Sequence, residues 1–151
     1  MSGREPPREI RTEIEIAADA ERVWDVLTDF VAYPDWHPSM TILGAAEVGG
    51  KLRVHVDAPG LPAMTLRPRV LRAVRPREFA WLGSLPVPGI FNGEHIFEIE
   101  PISARRSRFV QRELFTGVLA GAVLARIGLS TRQSFEAGNK ALRARAERRK
   151  P

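Results

Sequence analysis

The last fifth of the chain carries one long apolar stripe with helical spacing, whereas most of the residues before it follow strand periodicity. The stripe runs from about Val118 to Glu147, with apolar or small residues every three or four positions. Gly121, Gly128 and Gly138 would each weaken such a helix by roughly 1 kcal/mol relative to alanine. Close approach of the helix to a sheet or to a ligand would explain why they are tolerated. The pattern predicts one long C-terminal helix in an α+β protein.

The N-terminal part predicts a strand and two short helices. Isoleucine and threonine alternate with charged residues over Arg8–Ile16, as in a strand with one buried face. Asp19 is a suitable N-cap for an amphipathic helix over Ala20–Thr28. A second short helical turn follows, and Pro34 and Pro38 are expected to close it.

Between the two helical regions, turns separate six strand patterns. No helical spacing interrupts them, so the sequence predicts an antiparallel meander and not a parallel βαβ sheet. The predicted strands are Met40–Val48, Lys51–Asp57, Met64–Val74, Glu78–Ser84, His95–Ile99 and Ser107–Phe115.

Length and cysteine content restrict the class of protein. The 151 residues fit one domain over 1–151, with 1–7 and 144–151 expected to be flexible ends. The chain contains no cysteine, which excludes disulfides, thiolate metal sites and a cysteine nucleophile. The three histidines show no metal-ligand spacing. We therefore expect neither a metal nor a cofactor.

The basic character is concentrated at the C-terminus. The formal net charge is +5, and 143–150 hold five cations against one acid. The rest is nearly neutral, and the arginines of the predicted strands appear scattered among acids. We therefore expect no nucleic-acid partner. Weak contact of the arginine-rich tail with an anionic membrane stays open. The strand arginines in question are Arg67, Arg69, Arg105, Arg106 and Arg108.

Targeting signals point to no special compartment. The stretch Val118–Leu129 is the most apolar, but it is interrupted by Arg126 and shorter than the roughly 20 residues of a membrane span. The N-terminus lacks the apolar core of a secretory signal. The cytoplasm is the default expectation.

Four local stretches resemble the SRPBCC superfamily, which includes START lipid-transfer domains, birch-pollen-type allergens and polyketide cyclases. They are Ala18–Leu27, Tyr33–Pro38, Gly93–Pro101 and Arg108–Gly117. The resemblance implies the helix-grip fold. In this fold a curved seven-stranded antiparallel sheet wraps a long C-terminal helix, and two short helices follow the first strand. It also implies binding or carriage of a small lipid-like or polyketide-like molecule in an internal cavity.

A curved sheet and one helix leave a cavity unless bulky side chains fill it. A fully packed core built from the same residues is the alternative. The sequence leaves monomer and homodimer open. The side chains expected to line a ligand site are Trp36, Val54, Val56, Met64, Leu66, Trp81, Phe91, His95, Phe97, Phe109, Gln111, Glu113, Leu119, Val123 and Ile127.

Three polar residues fall on strand faces that should be buried. If Phe97 and Phe109 point inward, a period of two places His95, Gln111 and Glu113 inward as well. Burying an unpartnered polar group costs roughly 1–3 kcal/mol. These residues could form an internal network, lie at a strand end open to water, or anchor a polar group of a ligand. In an enzyme, His95 with Glu113 would serve acid–base chemistry of the cyclase or dehydratase kind.

Two segments are candidates for the cavity rim. Trp36 and His37 lie between two prolines, where the resemblance places the rim. The loop 84–93 is unusually apolar, with Leu85, Val87, Ile90 and Phe91 among prolines and glycines. We expect it either to gate the cavity or to pack on a partner subunit.

Overall fold

Residues 8–84 and 89–148 are described by the computed structural model. Eight strands and three α-helices follow one another in the order expected for a helix-grip protein. They are β1 (Arg8–Ile16), α1 (Ala20–Thr28), a 3-10 turn (Phe30–Ala32), α2 (Tyr33–Trp36), β2 (Met40–Leu43), β3 (Arg53–Val56), β4 (Met64–Leu66), β5 (Arg69–Val74), β6 (Glu78–Ser84), β7 (Asn92–Ser103), β8 (Arg106–Thr116) and α3 (Ala120–Glu147).

The strands form an antiparallel five-stranded sheet in the order β1-β8-β7-β6-β5 and a three-stranded sheet in the order β2-β3-β4. The two sheets meet where Lys51 bridges to Arg69 and the Leu52 amide donates to the Pro68 carbonyl at 2.8 Å. The predicted helix-grip arrangement is confirmed. The count of eight strands exceeds the expected seven because the predicted strand Met64–Val74 is interrupted at Arg67 and Pro68. Proline has no amide to donate to a ladder, so it divides the strand.

Several other boundaries differ from the sequence prediction, and two of these differences have a clear physical cause. Strand β2 ends at Leu43 and not at Val48, because Gly44 turns the chain with φ +124°. Pro34 does not close the second helical segment but lies in the first turn of α2. This position suits proline, since the first-turn amides have no partner within a helix.

Helix α1 begins as predicted at Asp19, whose carboxylate accepts from the Arg22 amide at 2.7 Å. Its buried face includes Val23, Trp24 and Leu27. The Trp24 ring lies edge-on to Phe79 of β6, with ring centroids 6.5 Å apart. Helix α1 therefore closes one end of the sheet's concave face.

The buried apolar side chains form two clusters. The larger lies between α1, the sheet and the C-terminal part of α3. The smaller lies where α3 begins and consists of Ile10, Phe115, Ala120 and Phe135. Buried polar side chains of β7 and β8 lie between these clusters.

The C-terminal end of α3 is tied to the start of α1. The Arg22 guanidinium donates to the carbonyls of Arg145, Ala146 and Arg148, and the Ala17 amide donates to the Glu147 carboxylate. The expectation of a flexible end over 144–151 is therefore wrong for 144–147, because Ala146 is buried in the main core. Residues 1–7 and 149–151 lie outside the described residues.

Candidate functional site

A polar pair lies on the concave face of the five-stranded sheet, near the end at which β7 begins. His95 of β7 and Glu113 of β8 are directly opposite each other in the antiparallel register. Trp81 of β6 and Ile10 of β1 continue the same row on either side. The period of two that predicted these side chains inward is therefore correct at His95 and Glu113.

His95 is enclosed by aromatic rings and is only 4% exposed. Its ring stacks on Phe97 with centroids 4.4 Å apart, and the rings of Trp81 and Phe135 each lie 4.9 Å away. Its Nε2 atom is buried and has no hydrogen-bond partner among the described residues. Burial, and to a smaller extent the field of His37, lower the pKa of His95 to about 3. The imidazole is therefore neutral at pH 7.

Glu113 faces His95 without bonding to it directly. Its Oε1 lies 3.8 Å from His95 Nδ1, beyond hydrogen-bond distance. The carboxylate leans over Gly93, where an added Cβ would lie only 2.2 Å from Glu113 Oε2. Burial raises the pKa of Glu113 to about 7. This carboxyl can therefore either donate or accept a hydrogen bond near neutral pH.

Next to this pair, Gly83 leaves space on the concave face. Gly83 and Gly93 are paired across β6 and β7, one row beyond Trp81 and His95. A Cβ on Gly83 would meet, among the described residues, only the Gly93 carbonyl oxygen, at 3.9 Å. Glu113 fills the space over Gly93, so the hollow that the described residues leave in this row lies above Gly83.

A second set of polar groups surrounds a small cavity between α2 and α3. His37 Nδ1 accepts from the amides of Ser39 and Met40 at 3.2 and 3.0 Å, so its proton is on Nε2. Burial lowers the pKa of His37 to about 4. The cavity measures about 10 Å³, which is room for about one water. Trp36 and Gln111 also line it, and the Trp36 indole N–H is buried without a partner among the described residues.

A hydrogen-bond chain links α3 to the sheet beside this cavity. The Asn139 amide donates to Thr12 Oγ1 at 2.9 Å, and that hydroxyl donates to the Gln111 carbonyl at 2.9 Å. All three residues are buried. Because a polar side chain without partners would be costly here, the chain fixes where the C-terminal half of α3 docks.

One side of α3 faces the three-stranded sheet and leaves an opening. Ser134 Oγ lies 3.4 Å from Ser39 Oγ, and a Cβ on Gly60 would lie 2.5 Å from Ser130 Oγ. Val123 and Ile127 continue this side toward the start of α3, but both are only half-buried. The helix therefore contacts the β2–β4 region at its middle and stands open at its first two turns.

The other border of the opening is the β3–β4 hairpin. Met64 is paired with Val56, and Leu66 with the buried Val54, so all four point to the concave face. Met64 and Leu66 are nevertheless each 38% exposed. β4 is the edge strand of the three-stranded sheet, so both residues have a neighbouring strand on one side only.

The other predicted lining residues fall into three groups. Val54, Trp81, Phe97 and Phe109 are buried in the main core, and Val56 packs against it. Phe91 stacks on Phe115 beside the start of α3, with ring centroids 5.8 Å apart. Leu119 lies just before α3 and is 45% exposed.

Sequence patterns identified some residues of this region and missed others. Trp36 and His37, both only partly buried, line the small cavity between α2 and α3. Asn139 and Thr12 were not recognised, because a single asparagine or threonine in an amphipathic pattern does not reveal its partner. Of the predicted gate loop, 85–88 lie outside the described residues.

Comparisons with known proteins identify the family. The family model described as "Polyketide cyclase / dehydrase and lipid transport" matches residues 7–147, so the chain belongs to this family. No curated protein sequence matches it.

Solved structures share the fold. The Zhui aromatase/cyclase from Streptomyces sp. R1128 is 24% identical, with 95% of each chain covered and a TM-score of 0.75. A START superfamily protein from Mycobacterium smegmatis is 21% identical, with 92% of this chain and 97% of that one covered and a TM-score of 0.70. Norcoclaurine synthase from Thalictrum flavum, in complex with dopamine and hydroxybenzaldehyde, is 16% identical over 95% of this chain and 90% of that one, with a TM-score of 0.70.

The described ranges, 8–84 and 89–148, also bear on membrane spans and metal sites. None of the helices there combines the length and the apolar character needed to cross a bilayer. The same residues contain no group of three or more histidine, aspartate and glutamate side chains that could hold a metal ion.

Proposed function

We propose that this protein binds and carries a small hydrophobic molecule, lipid-like or polyketide-like, in the opening between α3 and the β3–β4 hairpin. The observation that carries the proposal is the exposure of apolar side chains on both borders. Val123 and Ile127 on one side are only half-buried, and Met64 and Leu66 on the other are each 38% exposed on the concave face. Each buried CH₂ of a ligand would contribute about 0.8 kcal/mol there.

The polar row supplies an anchor for one end of such a ligand. His95 Nδ1 and Glu113 Oε1, 3.8 Å apart, can both contact one hydroxyl or carbonyl placed beside them. A few polar groups in an apolar site orient a ligand. The ligand class is therefore a mainly apolar molecule with a hydroxyl or carbonyl at one end.

The small cavity beside Trp36 and His37 is not the proposed ligand site. At about 10 Å³ it accepts one water and no organic molecule. The ligand would instead occupy the opening and the hollow above Gly83.

A second candidate function is catalysis of a cyclisation or dehydration. It is favoured by the pKa of Glu113, which burial raises to about 7, close to the value at which a general acid–base group is most effective. The neutral His95 beside it could share the proton transfer. A carrier would return its ligand unchanged, whereas an enzyme would convert it.

Native mass spectrometry of freshly purified protein, followed by denaturing extraction, tests the proposal. We expect a discrete hydrophobic molecule to co-purify. Gly83→Leu should fill the hollow and remove this molecule, since Gly83 has no positive φ and its added side chain meets open space. Ser84→Leu, one residue on and exposed, is the matched control and should retain it.

The same experiment tests the site and distinguishes carriage from catalysis. If Gly83→Leu retains the molecule as well as Ser84→Leu does, the proposed site is wrong. Returning the extracted molecule to the protein and measuring its mass over time distinguishes carriage from conversion. Glu113→Gln should abolish a conversion but only weaken the affinity of a carrier.

A further inference from the structure

On the outer face of the five-stranded sheet, glutamates neutralise the charge of the arginines, mostly from neighbouring strands. Carboxylates lie within 2.6–3.5 Å of the guanidinium nitrogens there. Each such pair is worth little alone at the surface, but together they leave this face nearly neutral. The pairs are Arg72–Glu78, Arg72–Glu94, Arg106–Glu15, Arg108–Glu100, Arg112–Glu9 and Arg112–Glu98.

A second part of the outer surface lacks this compensation. Lys51, Arg53, Arg67 and Arg69, the basic face, are all exposed. Their neighbours Leu52, Val54 and Val70 are buried on the concave side, so alternation directs the four cations outward. None of the four forms an ion pair with a residue in the described part of the chain. The expectation that Arg67 and Arg69 are interspersed with acids is therefore wrong, whereas it is correct for Arg106 and Arg108.

The register places these like charges opposite one another. Lys51 bridges directly to Arg69. The pairing of Val54 with Leu66 sets Arg53 opposite Arg67 in the same register. Like charges directly opposite on antiparallel strands are destabilising. Folding alone does not explain four cations in this arrangement.

We propose that the basic face is a docking surface for the acidic surface of a partner protein. Carboxylates of a partner would relieve the repulsion between the opposed cations, as the glutamates do on the five-stranded sheet. Leu43, 65% exposed and paired with Arg53, adds an apolar contact of the kind found in protein interfaces.

The position of the basic face favours an acidic protein over an anionic bilayer or a nucleic acid as the bound partner. It lies on the outer side of the hairpin whose inner side borders the opening, so a docked protein leaves the opening accessible. A bilayer at this face could not receive an apolar ligand directly from the opening. A nucleic acid would be expected to stack bases on aromatic residues, and the strand residues among these cations are Leu43, His55 and Thr65. The proposal does not depend on which ligand the opening binds.

A backbone-amide NMR titration with a polyglutamate peptide of about 20 residues tests the surface. Chemical-shift changes should concentrate on 51–55 and 65–69. Arg53→Gln/Arg67→Gln should weaken binding roughly tenfold, corresponding to about 1.4 kcal/mol. Arg106→Gln/Arg108→Gln, with the same change of net charge, should leave affinity within about twofold.

Two results of this titration would overturn the proposal. Equal weakening by both double variants would mean that the peptide responds only to net charge. Phosphatidylglycerol vesicles that shift the same amides at a lower charge concentration than the peptide would identify a membrane surface instead.

Thermal unfolding provides an independent measurement. Arg53→Gln should raise Tm by roughly 1–2 °C at low salt, because it removes a repulsive pair. In 1 M salt the gain should disappear, since the repulsion is screened. A fall in Tm at both salt concentrations would show that the cation is structural and would contradict the proposed docking role.

Discussion

The two halves of α3 have the same helical geometry but opposite relations to the rest of the molecule. In the C-terminal half, Phe135, Gly138, Asn139, Leu142 and Ala146 are buried. In the N-terminal half only Ala120 and Thr131 are buried, and apolar side chains such as Ile127 remain half-exposed. The first half borders an opening, and the second completes the core.

Different contacts account for this difference. The C-terminal half is bonded to Thr12 through Asn139 and to the start of α1 through Arg22 and Glu147. The N-terminal half begins at Leu119 without a side-chain cap. One rigid element can thus be anchored at one end and leave space for a ligand at the other. Three predictions examine how separate these halves are.

The largest effect should come from truncating one leucine in each half. Leu142 is 2% exposed in the main core, so Leu142→Ala should reduce the free energy of unfolding by about 2–5 kcal/mol. Leu129 is 71% exposed, so Leu129→Ala should change it by less than about 0.5 kcal/mol. Urea denaturation measures both. Comparable losses would show that the N-terminal half is packed after all.

Replacing one glycine in each half by alanine should change the free energy of unfolding by a smaller amount and in opposite directions. A Cβ on Gly138 would lie 3.2 Å from His37 Nε2, whereas a Cβ on Gly128 would have no described atom within 4 Å. Gly128→Ala should stabilise by up to about 1 kcal/mol through helix propensity. Gly138→Ala should destabilise by about 1 kcal/mol, because crowding of His37, which stacks on Tyr33, outweighs that gain. Stabilisation by both substitutions would contradict the close contact at Gly138.

The smallest effect should be the pH dependence of stability. The pKa values of His37 and His95 are lowered to about 4 and 3, so the unfolded chain binds more protons below pH 6.5 and stability falls on acidification. The raised pKa of Glu113, about 7, acts in the opposite direction. Between about pH 7 and pH 4.5 the folded chain binds a proton at Glu113 that the unfolded chain does not bind, so acidification in this window adds stability. The net loss between pH 6.5 and 5.5 should be about 1 kcal/mol.

Variants of the polar pair separate these contributions. Glu113→Gln should steepen the acid loss, because the opposing proton uptake disappears. His95→Phe should flatten it, because one neutral buried imidazole is removed. Denaturation series at several pH values measure both. An unchanged slope in His95→Phe would show that His95 does not titrate as its burial implies.

Much of the fold could be predicted from periodicity. Alternation identified β1 and the inward direction of His95 and Glu113, and the N-cap at Asp19 set the start of α1. Proline effects were harder to place, because proline both divides a strand at Pro68 and begins a helix at Pro34. Its missing amide disrupts a ladder in the first case and costs nothing in the second.

The candidate site was predicted less completely. The expected stripe on α3 included Leu119, Val123 and Ile127, which are spaced by four residues. Each such step turns about 40° past a full rotation, so, counted back from Phe135 toward the N-terminus, these positions lie progressively farther from the side that Phe135 and Leu142 bury. The sequence could not show that this drift opens a space beside β4.

By itself, the sequence determined the order of elements, the face of each strand and the polar residues that turn inward, because periods of two and 3.6 are local properties of the backbone. Tertiary structure alone decided that Glu113 leans over Gly93, that His37 meets Gly138 and that α3 stands open at its start. It also decided that Lys51 and Arg53 lie opposite Arg69 and Arg67. These features depend on register and helix placement, which join residues far apart in the chain.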